Sequence, residues 1–335
     1  MIVFIFRQIL IYQVWAILFS GCASFSEEKP QVPEITPTMA VDQAVSIAIE
    51  HGGDSVEQLK ARFKSSQEKQ QMAQYIEKSI LENQKLTNIK FIRLIQLYGY
   101  FTNEISVKVL NRLIFDETVA VRQIGWRLAA VYPAEPIKRH IEEVLTHALV
   151  KGSEEFILLP EMAKAVRTNQ IKSVYTLIRF GLMSKGNDEF AKTMVVLDPE
   201  QARHDFLDYL GKATIEDLRQ INQSTVDFYS CLVILNFYKQ NELPLFHPKI
   251  SSLILFAISR NRLLADLAGE VLEREYERHG FEFALVISRL PQWIQIAYIE
   301  NQRRLPTANG STLLSHLREV SSSKTVIEEI DAVLR

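Results

Sequence analysis

The chain contains little glycine and has no excess of charge of either sign. Glycine accounts for 12 of the 335 residues, about half the usual frequency of roughly 7%. Because glycine supplies most of the positive-φ positions in tight turns, its scarcity disfavours hairpins and suits helices joined by short links. The formal net charge is −2, so the composition offers no basic surface for binding nucleic acid through its phosphates.

Cysteine is almost absent as well, with only Cys22 and Cys231 present. Cys231 lies in the apolar run of residues 228–235, FYSCLVIL, which offers no neighbouring base or positive charge to activate a thiolate. We therefore predict that Cys231 is a small buried side chain rather than a nucleophile. If Cys22 carries lipid, as argued below, no second thiol remains for an internal disulfide.

No stretch alternates apolar and polar residues for long enough to predict a sheet. From residue 39 onward the spacing is helical nearly to the C-terminus, with helices predicted at about 88–101, 104–115, 117–132, 214–221, 262–279 and 282–304. We predict an all-α protein with strand content close to zero. Three pairs are predicted to form capping boxes at helix starts: Asp54 with Glu57, Thr214 with Asp217, and Thr325 with Glu328. At this length both two domains and an elongated array of helices are open.

The helix of residues 117–132 has the most specific pattern in the chain. Its apolar stripe comprises Val121, Ile124, Leu128, Val131 and Tyr132. Gly125 and Ala129 lie beside the stripe and would let a neighbouring helix approach closely. Asp116 is placed to cap the N-terminus of the helix, and Pro133 ends it. The spacing resembles the second half of a HEAT repeat, in which an Asp is followed by Val-Arg, here Asp116 and Val121-Arg122.

The resemblance implies an irregular right-handed α-solenoid of about six or seven HEAT- or armadillo-like helix pairs. Weak internal repetition agrees with it, since Gly99 and Gly181 each follow an isoleucine by ten residues and Gly269 echoes Gly125. A tetratricopeptide array would require a sustained period of roughly 34 residues, which is not found. A non-repetitive all-helical domain stays open.

Two residues of this helix have candidate roles. In the HEAT pattern the arginine pairs with the aspartate of a neighbouring repeat, so the resemblance implies that Arg122 and Asp116 belong to an inter-repeat polar ladder. Trp126 lies about 140° around the helix from Val121. It either packs against the partner helix of its own repeat or points from the inner face as a possible partner-binding residue. Two other segments are predicted to be structural, with Trp293 in the core and residues 270–279 as a solvated face.

The first 22 residues form an apolar run that contains one positive charge, Arg7, and ends in Phe19-Ser20-Gly21-Cys22. This stretch resembles a bacterial lipoprotein signal peptide with its lipobox, although the first lipobox position is more often Leu than Phe. The resemblance implies that residues 1–21 are removed and that Cys22 is acylated, which would attach the protein stably to a membrane. An uncleaved membrane helix and a misassigned start are the alternatives.

Residues 22–38 are polar and contain Pro30, Pro33 and Pro37, which predicts a lipidated cysteine followed by a Pro-rich tether. The folded domain is predicted to span residues 39–335. Ala23 rather than Asp follows the lipobox cysteine, and the resemblance to Gram-negative lipoproteins then implies the outer membrane, with the protein facing the periplasm.

No catalytic constellation is evident. His140, Glu143 and His147 share one face of a helix, but they lack the HExxH or Cys/His spacing of a zinc site, so we predict no metal. The segment from Phe180 to Ser184 resembles a motif of lytic transglycosylases but lacks the upstream Glu-Ser that supplies their general acid. We expect Gly181 to serve helix packing instead.

These observations together predict a membrane-attached scaffold that binds unidentified protein partners through a helical-repeat surface. No small-molecule cofactor is expected. The alternative is an envelope enzyme or enzyme accessory factor, for example one acting on peptidoglycan.

Overall fold

The computed structural model describes residues 33–82, 86–151, 158–212, 228–241, 247, 249–259, 261–304 and 309–335. These residues form eighteen α-helices and one 3₁₀ turn, and no strand occurs among them. The helices are α1 Val41–His51, α2 Asp54–Arg62, α3 Ser66–Glu82, α4 Asn88–Phe101, α5 Val107–Ile114, α6 Val119–Val131, α7 Glu135–Lys151, α8 Pro160–Thr168, α9 Tyr175–Lys185, α10 Asp188–Leu197, α11 Pro199–Leu210, α12 Phe228–Tyr238, α13 Ser251–Ala257, α14 Arg262–His279, α15 Phe281–Ser288, α16 Gln292–Arg304, α17 Gly310–Val320 and α18 Lys324–Leu334. The all-α prediction is confirmed for the described residues.

The chain divides into two compact units, and the boundary falls after Lys69, within α3. In the first unit α1 packs against α2. Ile35, within the predicted tether of residues 22–38, is buried, and its backbone N–H donates to Oε1 of Gln58 in α2 at 3.0 Å.

Helix starts in this first unit differ from the predicted capping boxes. The predicted capping box of Asp54 and Glu57 does not form at α2. Gly53 is the N-cap, and it has no side chain that could accept a capping hydrogen bond. A capping box instead precedes α3. Oγ of Ser65 accepts from the backbone N–H of Glu68, and Oε2 of Glu68 accepts from the backbone N–H of Ser65 at 3.0 Å.

In the second unit, most helices pack against those one or two places along the chain. Helices α4, α6, α8, α10, α12 and α14 contact one another in that order. The intervening helices form a second row: α5 contacts α7, α7 contacts the 3₁₀ turn Lys172–Val174 that leads into α9, and α11 contacts α13. Alternate helices therefore stack in two rows, which is how successive helix pairs bury a shared core.

Several predicted boundaries agree with the observed helices, including 88–101 and 262–279. The predicted helix 282–304 is two helices, α15 and α16, because Pro291 lies between them and cannot donate a backbone hydrogen bond. The predicted helix 214–221 and its capping residues Thr214 and Asp217 lie outside the described residues. At the C-terminus Ser323, rather than the predicted Thr325, caps α18.

Two glycines mark close helix contacts. A Cβ added at Gly125 of α6 would lie 2.8 Å from Cβ of Leu113 in α5. A Cβ added at Gly181 of α9 would lie 2.3 Å from Cε1 of Phe190 in α10. The packing roles predicted for both glycines are confirmed. Gly269 is different, because an added Cβ there would meet nothing within 4 Å, so its predicted equivalence to Gly125 is wrong.

Polar side chains also join helices by donating to backbone carbonyls, three times within the row from α4 to α10 and twice between α12 and the other row. Tyr132 donates to Gly99 at 2.7 Å, Asn169 to Ala129 at 3.1 Å, Thr193 to Ala163 at 3.0 Å, Ser230 to Leu182 at 2.8 Å, and Tyr238 to Arg203. Two of the acceptors, those of Gly99 and Ala129, lie in the last turn of their helices. Carbonyls at a helix end lack the usual partner four residues on, so these two side chains supply partners that water or caps would otherwise provide.

Candidate interaction surface

The residues predicted for lipid attachment are not covered by the structure. Cys22 and the lipobox residues Phe19, Ser20 and Gly21 all lie outside the described residues. Acylation of Cys22 therefore stays a prediction. Within the part of the chain that is described, no helix is both long enough and apolar enough to cross a membrane.

Trp126, the predicted candidate for partner binding, is 0% exposed. It lies on α6, which packs against α4, α5 and α8. Its indole N–H finds no acceptor among the described residues. The sequence left two alternatives for Trp126, packing between helices or pointing from the inner face. The structure agrees with packing, because α6 is enclosed by its neighbours. The ring could meet a partner only after those helices separated.

Arg122 makes local hydrogen bonds, and its predicted pairing with a neighbouring repeat stays a prediction. Nη1 of Arg122 donates to the backbone carbonyls of Asp116 and Glu117, at 2.8 and 2.9 Å, within the same α5–α6 turn. Asp116 is not the N-cap of α6 either. Its Oδ1 accepts from the backbone N–H of Thr118, the true N-cap, at 2.9 Å. Its Oδ2 pairs with Arg112 at 2.6 Å.

A polar ladder between helices does exist, but other residues form it. Arg127 of α6 pairs with Glu161 of α8 at 2.8 Å, and Arg167 of α8 pairs with Glu189 of α10 at 2.9 Å. Each glutamate is the second residue of its helix, where the positive end of the helix dipole favours a carboxylate. From α6 to α8 and again from α8 to α10, an arginine of one helix therefore pairs with a glutamate in the first turn of the next helix of the row.

The side chains weighed as metal ligands lie on α7. Glu143 and His147 line a shallow depression of about 490 Å³, together with Arg139, Glu142, Thr146 and Val150. Burial lowers the pKa of His140, and Glu143 acts in the opposite direction. Within the described ranges no group of three or more His, Cys, Asp or Glu side chains is arranged to hold a metal ion.

Two predictions about apolar burial have opposite outcomes. Cys231 is buried, as predicted. Trp293, predicted to lie in the core, is 49% exposed, because it falls in the first turn of α16 once Pro291 has separated that helix from α15.

The predicted solvated face of residues 270–279 also needs correction. Glu275 is fully buried and pairs with Arg278 at 2.9 Å.

The sequence did not reveal a buried polar cluster between α9 and α11. Asp205 is almost fully buried and accepts from the hydroxyl of Tyr175 at 2.9 Å and from Nε2 of Gln201 at 3.3 Å. Nε of Arg179 lies 3.5 Å from its carboxylate. Burial raises the pKa of the Tyr175 hydroxyl, and the charge of Asp205 adds to this effect. Since Asp205 is out of reach of solvent, the cluster fixes two helices rather than presenting a reactive group.

Three large apolar side chains near the starts of α4 and α6 are exposed. Ile89, Phe115 and Val119 are 65%, 59% and 49% exposed. Arg112 of α5 links the two helix starts, because its guanidinium lies over the ring of Phe91 in α4 at 5.4 Å and also pairs with Asp116, which precedes α6. Ile89 precedes Phe91 by two residues, and Phe115 directly precedes Asp116. We call Ile89, Phe115 and Val119 the α4–α6 patch.

One sequence signal could have found the patch. The buried stripe of α5 includes Leu110, Leu113 and Ile114. Phe115 follows directly and is out of phase with that stripe, so it was an apolar residue without a place in the core. The predicted helix of residues 104–115 includes Phe115, so the prediction did not separate Phe115 from the buried stripe.

Comparison with protein-family models, with curated proteins and with solved structures gave no match to the chain.

Proposed function

We propose that the protein is a lipid-anchored scaffold that binds other proteins through the surface of its helical array. The observation that carries the proposal is the α4–α6 patch, three exposed apolar side chains near the starts of two helices that pack against each other. Stacked helix pairs present long continuous surfaces that commonly bind proteins. Exposed apolar side chains with charged neighbours, here Asp116 and Glu117 between Phe115 and Val119, are typical of such contacts.

The finer architecture belongs to the same proposal. The two rows of alternating helices and the repeated ladder from Arg127 to Glu161 and from Arg167 to Glu189 support an irregular α-solenoid of HEAT-like pairs. Its right-handed twist is proposed from the resemblance to HEAT repeats alone. The ladder is the strongest support, because one type of contact recurs between successive members of a row.

The proposed anchor is Cys22, acylated after removal of residues 1–21, with the folded part facing the periplasm from the outer membrane. Its support is the lipobox sequence. Lipid labelling of the wild-type chain and Cys22→Ala, followed by membrane fractionation, tests it. We expect lipid on the wild type alone and release of the variant from the membrane fraction if the signal is cleaved. Equal membrane retention with no lipid on either protein would refute the anchor.

The binding surface is tested by site-specific photocrosslinking in membranes. A photoreactive phenylalanine analogue replaces Phe115 in one protein and Val150 in another. Val150 is a matched control because it is an apolar residue, 82% exposed, on a different helix, α7. We expect a discrete crosslinked product of defined mass from position 115 and none from position 150. Identical products from both positions, or none from either, would contradict binding at the patch.

A further inference from the structure

A buried histidine connects the segment before α13 to α11. The side chain of His247 is 7% exposed. Its Nδ1 accepts the backbone N–H of Lys249 at 3.2 Å. A neutral imidazole that accepts at one nitrogen carries its hydrogen on the other. The hydrogen therefore lies on Nε2, which faces Oδ1 of Asp208 in α11 at 3.6 Å.

A second histidine lies against the first. The ring of His204, one turn before Asp208 on α11, has its centroid 5.0 Å from that of His247, with the planes tilted by 48°. The side chain of Lys249 packs against the end of α11, since a Cβ added at Gly211 would lie 2.8 Å from its Cγ. The segment of His247 and Lys249 thus covers the C-terminal half of α11, and α13 continues this contact.

We propose that this contact is an acid-sensitive joint between α11 and α13. A second proton on His247 must go to Nδ1, because Nε2 already carries one. Nδ1 then no longer accepts from Lys249, so the turn before α13 loses a hydrogen bond. The new positive charge also lies beside Lys249, which is positive, and beside His204, which is positive when it is protonated.

The charged and titratable groups that face His247 from the described neighbouring elements have opposing and unequal effects on the charged form of its ring. From α11 come His204 and Asp208, and Lys249 comes from its own segment. Only Asp208 favours the charged ring. That carboxylate is half exposed and 3.6 Å away, so water weakens its attraction. Burial disfavours the charged form of the His247 ring, and its effect is the largest. No second carboxylate among these groups offsets it.

The pKa of His247 has the corresponding direction. Burial lowers it most; Asp208 acts against this, while His204 and Lys249 lower it further. The pKa in the folded protein is therefore below the value of about 6.5 of an unfolded chain. Such a group contributes stability above pH 6.5 that is lost as the pH falls from there to the folded-state pKa, because the open form binds the proton more readily.

Hydrogen exchange of the full-length chain in detergent tests the joint. Protection factors of α13 amides, corrected for the intrinsic pH dependence of exchange, are compared at pH 7.5 and 5.5. One proton taken up on opening changes the opening equilibrium by up to about tenfold per pH unit below 6.5. We expect protection to fall by up to about tenfold in the wild type. His247→Asn should show no such fall, because its amide oxygen takes the place of Nδ1 and can accept from Lys249 without titrating.

His51→Asn is the matched control, because His51 is an exposed histidine at the end of α1. This variant should lose protection in α13 as the wild type does. NMR titration of His247 in the wild-type chain gives a second measurement that does not depend on any variant folding. A pKa at or above 6.5, or an equal loss of α13 protection in His247→Asn, would overturn the proposal.

Discussion

The same substitution at two glycines should change stability in opposite directions. Gly125 and Gly269 are both helix-interior residues that the sequence pattern treated as equivalent. In the structure, a Cβ at Gly125 would meet Cβ of Leu113 at 2.8 Å and the backbone nitrogen of Ile114 at 3.3 Å. A Cβ at Gly269 would meet nothing within 4 Å. We therefore compare Gly125→Ala with Gly269→Ala.

The magnitudes follow from two opposing contributions. Replacing glycine by alanine in a helix interior stabilises by about 0.5–1 kcal/mol, because alanine loses less backbone entropy on folding. Overpacking a tight contact costs about 1–3 kcal/mol. At Gly125 the obstructing atoms are a Cβ and a backbone nitrogen, which cannot rotate aside, so α5 and α6 would have to separate. We expect Gly125→Ala to be destabilised by about 1–2 kcal/mol and Gly269→Ala to be stabilised by about 0.5–1 kcal/mol.

Urea unfolding followed by circular dichroism at 222 nm measures both variants against the wild type. The unfolding midpoint should fall in Gly125→Ala and rise in Gly269→Ala, with the steepness of the transition unchanged. A midpoint for Gly125→Ala at or above that of the wild type would refute the close contact between α5 and α6. Equal destabilisation of both variants would show that the clash is not specific to Gly125.

Three further predictions follow from the contacts described above. A double-mutant cycle on Arg167 and Glu189, each changed to Ala, should give a coupling free energy of about 0.5–1 kcal/mol in urea unfolding, and a coupling of zero would remove this rung of the ladder. Ser323→Ala should destabilise α18 by about 1 kcal/mol, measured as faster amide exchange in that helix, and Ser323→Asn should restore the cap; unchanged exchange in the alanine variant would contradict the cap. In variants that retain one tryptophan, iodide should quench Trp293 strongly and Trp126 weakly, while equal quenching would contradict the burial of Trp126.

Helix type and approximate helix position could be predicted from the sequence because both depend on local spacing. The pattern of α14 has three- and four-residue steps over its whole length, and its predicted bounds match the structure. Pro291 interrupted a similar pattern, and only its missing N–H indicated that the predicted helix was two. Caps were less predictable. Ser323 and Thr325 both offer a hydroxyl near the start of α18, and the backbone geometry decides between them.

Which face of a helix is covered could not be predicted, because that depends on helices distant in the sequence. Trp126 lay off the main stripe of its helix, yet it is buried because α6 is contacted on several sides. Trp293 lay in an apolar run, yet its side chain is half exposed. Glu275 appeared within a run of alternating charges and is nevertheless fully buried. In each case the local pattern was identified correctly, but the neighbouring helix determined the exposure.

The rungs between helices explain why the internal repeats are so faint in the sequence. A rung such as Tyr132 to Gly99 or Asn169 to Ala129 needs one polar donor, whereas its acceptor is a backbone carbonyl that every residue type provides. Tyrosine, asparagine and threonine can therefore make equivalent contacts, provided that their length matches the local separation of the helices. The packing of the row can recur from pair to pair without a recurring residue type. The repeat pair that a search for repeated letters does detect, Gly99 and Gly181, lies at two close helix contacts, where an added Cβ would be 2.8 Å from Leu128 and 2.3 Å from Phe190.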